Sequence, residues 1–190
     1  MKINELLENA ELNEKQIRNA AINILAYIYG NDKWDTYNES IQLLLKTQFK
    51  YTGPMFRGIS ASPETIVNAK SMVDLVADLH NYNSTDYVSW SKSVQGMDNA
   101  LFNNIHTGEF EYGSVPCFYI YQQVSVGVDA CAIAQAYPQF DTEGLLDLVI
   151  PEEEVLARMD TSKMELIGFW YNENVYPLNK IHDLIRQITS

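Results

Sequence analysis

The chain has 190 residues, of which 46% are hydrophobic, and a formal net charge of −12 at pH 7. This length and composition fit one domain with a sizeable core and exclude a disordered chain. The negative charge disfavours a general nucleic-acid binder, because such a chain repels the phosphate backbone at long range. No apolar run approaches the ~20 residues of a membrane helix, and the N-terminus lacks the apolar stretch of a secretion signal. We therefore expect a cytoplasmic protein with no membrane partner.

The N-terminal part is predicted to be helical. Asn13 with Gln16 three residues later forms a capping box, apolar residues then recur on one helical face, and Gly30 is a typical stop. A second helix is expected over about residues 38–48. The stretch 62–80 opens with Ser-Pro, a pattern typical of an N-cap followed by Pro at the first helical position. It predicts a helix of about three to four turns.

The rest of the chain is predicted to alternate strands with helices. The strand patterns are "MFRGIS", "YVSWS", "VPCFYIYQQVSV", which is the longest, and "MELIGFWY". Helical patterns are found in "QGMDNALFNN", "VDACAIAQAY" and "LNKIHDLIRQI". The segments "LLDLVI" and "EVLARMD" are predicted to form a hairpin around Pro151. These elements indicate an α+β fold, with a helical region (residues 1–50) packed on a mixed β body (residues 51–190) as one compact unit.

Arg57 lies inside an apolar strand pattern, between Phe56 and Gly58. One interpretation is an arginine on the solvent face of an edge strand. The other is an arginine at a strand end that binds a phosphate or carboxylate through two hydrogen bonds. In that case Gly58 would let a ligand approach the backbone closely.

Three serines alternate with larger residues in "YVSWSKS", namely Ser89, Ser91 and Ser93. A strand of this length would place all three hydroxyls on one face, since side chains alternate along a strand. The alternation is typical of a half-exposed edge strand with its polar residues outward.

Acidic residues crowd the stretch 143–160, "EGLLDLVIPEEEVLARMD". Asp147 stands among apolar residues of a predicted strand, where a carboxylate tends to have a perturbed pKa or a function. The run 152–154 follows the proline and is expected to form the solvated tip of the hairpin. The order and spacing of this stretch relative to the arginine and serine strands carry more information than the stretch alone.

The order of these elements resembles the mono-ADP-ribosyltransferases of the arginine–serine–glutamate class. "MFRGIS" resembles the family's Tyr-Arg-Gly strand, and "YVSWS" resembles its Ser-Thr-Ser strand with Trp90 in the threonine place. "LLDLVIPEEEVLARM" resembles the strand–turn–strand that carries its Glu-x-Glu motif. The resemblance spans about residues 55–159. Small phage-encoded transferases of this class are similar in size, and for such a protein the host cytoplasm is the expected location.

Two alignments of the acids compete within this resemblance. In the first, Glu152 and Glu154 form a literal Glu-x-Glu. In the second, Asp147 takes the catalytic glutamate position and Leu145 replaces the first acid of the pair. We favour the second, because it keeps the proline, the turn and the following strand where the family has them. Aspartate is one methylene shorter than glutamate, so this alignment also predicts reduced activity.

The resemblance implies NAD as the cofactor and a macromolecular acceptor, most simply a protein. Asp147 would stabilise the positive charge that develops on the ribose as nicotinamide leaves. Arg57, next to Gly58, would bind the pyrophosphate. Ser89 would orient the acid and, with Trp90 and Ser91, form the nicotinamide pocket. A protein that lacks a working acid would instead be a degenerate relative that acts as an acidic binding or inhibitor module.

The acceptor side is expected in the loop "PQFDTEGL". Tyr137, Phe140 and Leu145 are the candidate recognition residues there, and Leu145 could not pair with a guanidinium acceptor. The aromatic wall for nicotinamide is expected from one of five residues: Tyr87, Trp90, Phe102, Tyr137 and Phe140.

No metal site is expected. The three histidines share no ligand spacing. Cys117 and Cys131 do not form a Cys-x-x-Cys pair, and both are expected to be buried free thiols. The chain has neither a Gly-x-Gly-x-x-Gly fingerprint nor a P-loop, so NAD would not be bound in the Rossmann manner.

Overall fold

The structure is a computed structural model that describes residues 3–28, 34–76, 87–106, 116–140, 144 and 146–190. Its α-helices are α1 (Ile3–Ile28), α2 (Trp34–Leu44), α3 (Pro63–Asn68), α4 (Met72–Val76), α5 (Val94–His106), α6 (Ala130–Ala136), α7 (Leu146–Glu152) and α8 (Ile181–Thr189). Its strands are β1 (Lys50–Ser60), β2 (Tyr87–Ser91), β3 (Cys117–Asp129), β4 (Glu154–Arg158), β5 (Glu165–Tyr171) and β6 (Asn174–Pro177). Short 3₁₀ turns span Pro138–Phe140 and Leu178–Lys180.

The two N-terminal helices differ from their predicted bounds. Helix α1 begins at Ile3 and runs through Asn13, so the predicted cap at Asn13 is wrong. Residues 3–13 contain neither Gly nor Pro, so nothing in this stretch stops a helix from forming before Asn13. Helix α2 starts before residue 38 and ends at Leu44. The predicted stop at Gly30 lies outside the described residues.

The single helix predicted over residues 62–80 is interrupted after α3. Pro63 occupies the start of α3 as predicted, but the side chain of Ser62 makes no capping hydrogen bond. Ala69 is extended, with φ −63° and ψ 128°. The Asp74 carboxylate accepts hydrogen bonds from the N–H groups of Lys70 and Ser71, at 2.9 and 3.0 Å. This carboxylate therefore satisfies backbone donors that a continuous helix would have used, and residues 77–80 lie outside the described part.

The described strands form one sheet in the order β1-β2-β4-β3-β5-β6, in which β1 also pairs with β3. All of these pairings are antiparallel, so the α+β class is confirmed and the β body is built on one antiparallel sheet. The extra β1–β3 pairing closes β1, β2, β4 and β3 into a ring. The ring is weakest between β1 and β2, whose register pairs only Phe56 with Ser91. The gap lies beside Arg57.

The hairpin predicted around Pro151 is half wrong. β4 is present, but the segment before it is helix α7, with Pro151 in its last turn. Val149 and Ile150 of α7 pack into the core beneath α1, α2 and α6. A short apolar run fits a buried helix as well as a strand, and this packing favours the helix.

Four clusters of buried side chains hold the fold together. The first joins α1 and α2 to the β body through residues such as Ile24, Tyr87 and Leu156. A second lies under α8, and a third includes Leu101 and Phe118. The fourth fills the interior of the ring. Cys117 and Cys131 are buried free thiols, as predicted. Within the described ranges, no helix has the length and apolar character needed to cross a membrane.

Candidate functional site

Three residues from neighbouring strands meet at the gap in the ring. The Ser89 hydroxyl on β2 donates a hydrogen bond of 2.5 Å to Oε1 of Glu154, the first residue of β4. Arg57 on β1 donates through Nη1 to the Ser89 carbonyl oxygen. The antiparallel pairing of β2 with β4, in which Ser89 faces Leu156 and Ser91 faces Glu154, accounts for this proximity.

Glu154 is a buried carboxyl group with unusual titration. Only 5% of the residue is exposed. Burial raises the pKa of Glu154 to about 7, against the opposing effect of the Ser89 hydrogen bond. The nearby Glu152 raises it further, and Arg57 lowers it. The site therefore holds an acid that changes its charge close to neutral pH.

Arg57 on β1 is half-buried, and its charge is not matched by an ion pair with any residue that the structure describes. Burial lowers the pKa of Arg57, while Glu154 and Tyr27 nearby act in the opposite direction. The ion pairs found among the described residues do not involve the Arg57 guanidinium. A cation held this way can still bind an anionic ligand.

The turn that carries the acids is held by α5. Asn103 donates a hydrogen bond of 2.8 Å to the Glu152 carboxylate, and Ser93 donates one of 2.5 Å to the Glu153 carboxylate. Burial raises the pKa of Glu152, and the Asn103 hydrogen bond lowers it. Gly96 permits this approach, since a Cβ atom there would lie 2.6 Å from the Glu152 carbonyl oxygen.

A cleft of about 540 Å³ opens between these elements. Its volume lies within the ~300–1,000 Å³ range of small-molecule sites. Its lining includes seven residues singled out from the sequence: Arg57, Gly58, Ser89, Trp90, Ser91, Glu152 and Glu154. The sequence-derived arginine and serine strands therefore do come together with an acidic stretch.

Asp147 does not belong to this cluster. It is exposed on α7, and it is not part of the cleft lining. The expected placement of Asp147 beside Ser89 is wrong, because residues 146–152 form a helix that presents Leu148 and Glu152 to the cleft. The literal Glu-x-Glu alignment, with Glu154 beside Ser89, is the one that the geometry fits.

Gly58 and Trp90 line the cleft, and each also has a role in packing. A Cβ atom on Gly58 would lie 2.7 Å from the Leu101 side chain, so this glycine makes room for α5 at the edge of the cleft. Trp90 is buried inside the ring beside Met55 and Val155. Its indole N–H makes no hydrogen bond to any described residue.

The expected aromatic and recognition residues lie mostly elsewhere. Tyr87, Tyr137 and Phe140 pack against the first core, and the Arg18 guanidinium lies 5.1 Å from the centre of the Phe140 ring. Phe102 is 44% exposed on α5 and, like these three, does not line the cleft. Leu145 lies outside the described residues.

Sequence reasoning missed several of the residues that line the cleft. Its aromatic surface comes from Phe56 and Phe118 as well as Trp90, and Asn103 contributes an amide. Phe56 could have been found, because it directly precedes Arg57 on the same strand. Phe118 and Asn103 gave no local signal, since tertiary packing alone brings them to the cleft.

In the part of the chain that the structure describes, no group of three or more His, Cys, Asp or Glu residues could hold a metal ion. The cleft lining combines a guanidinium group, serine hydroxyls and carboxyl groups with apolar side chains. Comparison with known proteins gives no family to set beside it: no family model, curated protein or solved structure matches this chain.

Proposed function

We propose that this protein is an NAD-dependent mono-ADP-ribosyltransferase that transfers ADP-ribose to a protein acceptor and releases nicotinamide. The observation that carries the proposal is the Ser89–Glu154 hydrogen bond of 2.5 Å, with Arg57 bonded to the carbonyl of the same serine. The three residue types, on three adjacent strands around one cleft, agree with the chemistry that the sequence resemblance implies.

Glu154 would supply the fixed negative charge of the reaction. Cleavage of the nicotinamide–ribose bond passes through an oxocarbenium-like state with positive charge on the ribose. A carboxylate already oriented by Ser89 stabilises that charge without having to reorganise during the reaction. The reaction needs ionised Glu154, so activity should rise as pH increases through about 7, where burial places its pKa.

Arg57 would bind the pyrophosphate of NAD. Its fork of N–H donors suits two phosphate oxygens, and it lines the same cleft as Glu154. Phe56 and Phe118 would provide apolar surface for the nicotinamide ring beside it.

Glu152 would face the acceptor. The resemblance gives the first acid of Glu-x-Glu the task of pairing with a guanidinium acceptor, and Glu152 lines the cleft two residues before Glu154. In this alignment Glu152 takes the place that Leu145 had in the other, so the site has an acid that can pair with an arginine acceptor. We therefore propose an arginine side chain as the acceptor.

The test is nicotinamide release from NAD by the purified wild type and two variants. Glu154→Gln keeps the shape of the side chain and removes its charge, so release should fall roughly 10²–10³-fold, as on loss of a transition-state electrostatic contact. Asp147→Asn is the matched control, because it removes the exposed carboxylate on α7. It should retain wild-type release.

Circular dichroism and thermal melts should show that both variants fold. The proposal fails if the wild type releases no nicotinamide with or without an arginine-rich protein. That result would favour an acidic binding module on this fold. Loss of release in Asp147→Asn alone would return the catalytic role to Asp147.

A further inference from the structure

One face of α5 runs along the acid turn. Ser93, Gly96, Asn99 and Asn103 follow one another at intervals of three, three and four residues, which places them on the same side of the helix. Ser93 caps the helix by accepting a hydrogen bond of 3.0 Å from the Gly96 N–H. Each of these residues contacts the segment 151–153. The helix and the turn are therefore built against each other.

The two asparagines of this face contact different kinds of group. The Asn99 amide donates a hydrogen bond of 2.8 Å to the backbone carbonyl oxygen of Pro151, at the end of α7. The Asn103 amide donates a hydrogen bond of 2.8 Å to Oε1 of Glu152, a side-chain oxygen of a cleft residue. Asn103 also lines the cleft. Asn99 thus fixes the course of the chain, whereas Asn103 fixes the direction of a carboxylate.

Glu152 needs such a fixed direction because of its neighbour. Glu154 lies in the same cleft and already has Ser89 as a hydrogen-bond donor and Arg57 nearby. Within the described part of the chain, Glu152 has one hydrogen-bond donor, Asn103. A carboxylate near a second carboxylate would otherwise turn away toward solvent.

We infer that Asn103 is a positioning residue that holds the Glu152 carboxylate toward the acceptor. This inference rests on the proposed transferase function. It adds a residue that acts in the second step, the transfer of ADP-ribose to the acceptor. Loss of the Asn103 donor should impair capture of a guanidinium more than cleavage of NAD, because Glu154 and its own partners stay in place.

The experiment compares two rates for each variant: hydrolysis of NAD by water, and transfer of ADP-ribose to agmatine, a small guanidinium compound used as the probe acceptor. Asn103→Leu keeps the helix, since Leu is a better helix former than Asn. It should lower the ratio of transfer to hydrolysis roughly tenfold, the effect of losing one hydrogen bond to a charged group. The loss should appear as a raised KM for agmatine. Asn103→Gln keeps an amide donor and should recover part of the ratio.

Asn99→Leu is the matched control on the same helix face. It removes the backbone contact at Pro151, so it should lower stability but keep the wild-type ratio of transfer to hydrolysis. An unchanged ratio in Asn103→Leu, or equal changes in both variants, overturns the inference while leaving NAD cleavage established. Wild type that hydrolyses NAD but does not modify agmatine also overturns it. Wild type that cleaves no NAD overturns the proposed function itself.

Discussion

Two cation–acid arrangements contact β2 or the residue directly after it, and they are built differently. Lys92, directly after β2, contacts both carboxylate oxygens of Asp129 at 3.1 and 3.0 Å. Asp129 also caps α6 by accepting 2.9 Å from the Ala132 N–H. Each charge in this pair is matched by the protein itself. We therefore regard it as part of the scaffold.

In the cleft, the cation and the acid do not contact each other directly. Arg57 donates to the carbonyl of Ser89, and Glu154 accepts from its hydroxyl. Burial disfavours the charged form of both, lowering the pKa of Arg57 and raising that of Glu154. A protein tolerates charges that it does not fully compensate mainly where a ligand completes them. We therefore assign the cleft residues to the proposed site, and the contrast with Lys92–Asp129 can be tested by changing each arrangement in turn.

The largest effect is expected from the cation of the cleft. Arg57→Met keeps the apolar part of the side chain and removes the guanidinium, so kcat/KM for NAD should fall roughly 10²–10³-fold as its phosphate contacts are lost. Nicotinamide release measured against NAD concentration gives this value. Arg57→Lys keeps the charge but lacks the fork of N–H donors, so its kcat/KM for NAD should lie between the values of the wild type and Arg57→Met. Full activity in Arg57→Met would mean that this arginine does not bind the cofactor.

The second expected effect concerns the pH dependence of stability. The pKa of Glu154 is raised from 4.5 to about 7 in the folded protein, so folding favours its protonated form. Its contribution is fully present below pH 4.5 and is lost as pH rises to about 7. The free energy of unfolding should therefore fall over this window by about 2–3 kcal/mol relative to Glu154→Gln.

Urea unfolding of the wild type and Glu154→Gln between pH 4.5 and about 7 would check the raised pKa of Glu154. The variant lacks the titrating group, so the two stability curves should converge at the acidic end and diverge toward neutral pH. Parallel curves would show that Glu154 titrates as an ordinary exposed carboxyl. The Lys92–Asp129 pair is common to both proteins, so it cancels in the comparison.

The secondary structure was predictable wherever the local sequence pattern fitted only one type of element. Alternation and β-branched or aromatic residues identified β2, β3 and β5, and a regular apolar face identified α8. Prediction failed for α7, because a short apolar run between Gly144 and Pro151 fits either a strand or a helix. It also missed β6, a four-residue strand whose pairing with β5 depends on the turn at Asn172 and Glu173.

The site was predictable to the same extent as its elements. Arg57 and Ser89 came from strand patterns that are present as strands, and the structure brings them together. The acid was misplaced because its alignment was fixed on the proline, whereas residues 146–152 form a helix instead of a strand. Asn103 belongs to a helix that was predicted, but its contact with Glu152 spans 49 residues. Short-range patterns carry no information about such a contact.

The smallest effect is expected from the scaffold pair, and it completes the comparison. Lys92→Met removes the cation, but Asp129 keeps its hydrogen bond to the Ala132 N–H, so its carboxylate is not left without a donor. The two side chains are also 25% and 16% exposed, which lets water replace part of the lost contact. The free energy of unfolding should fall by about 1 kcal/mol, and kcat/KM for NAD should change less than about twofold, within the scatter of an uninvolved surface change.

Denaturant unfolding and nicotinamide release, measured beside Arg57→Met, give both values. If Lys92→Met lost activity as deeply as Arg57→Met while remaining folded, the distinction between the two pairs would be wrong, and Lys92 would have to act on the acid turn through its neighbour Ser93 and the Ser93–Glu153 hydrogen bond.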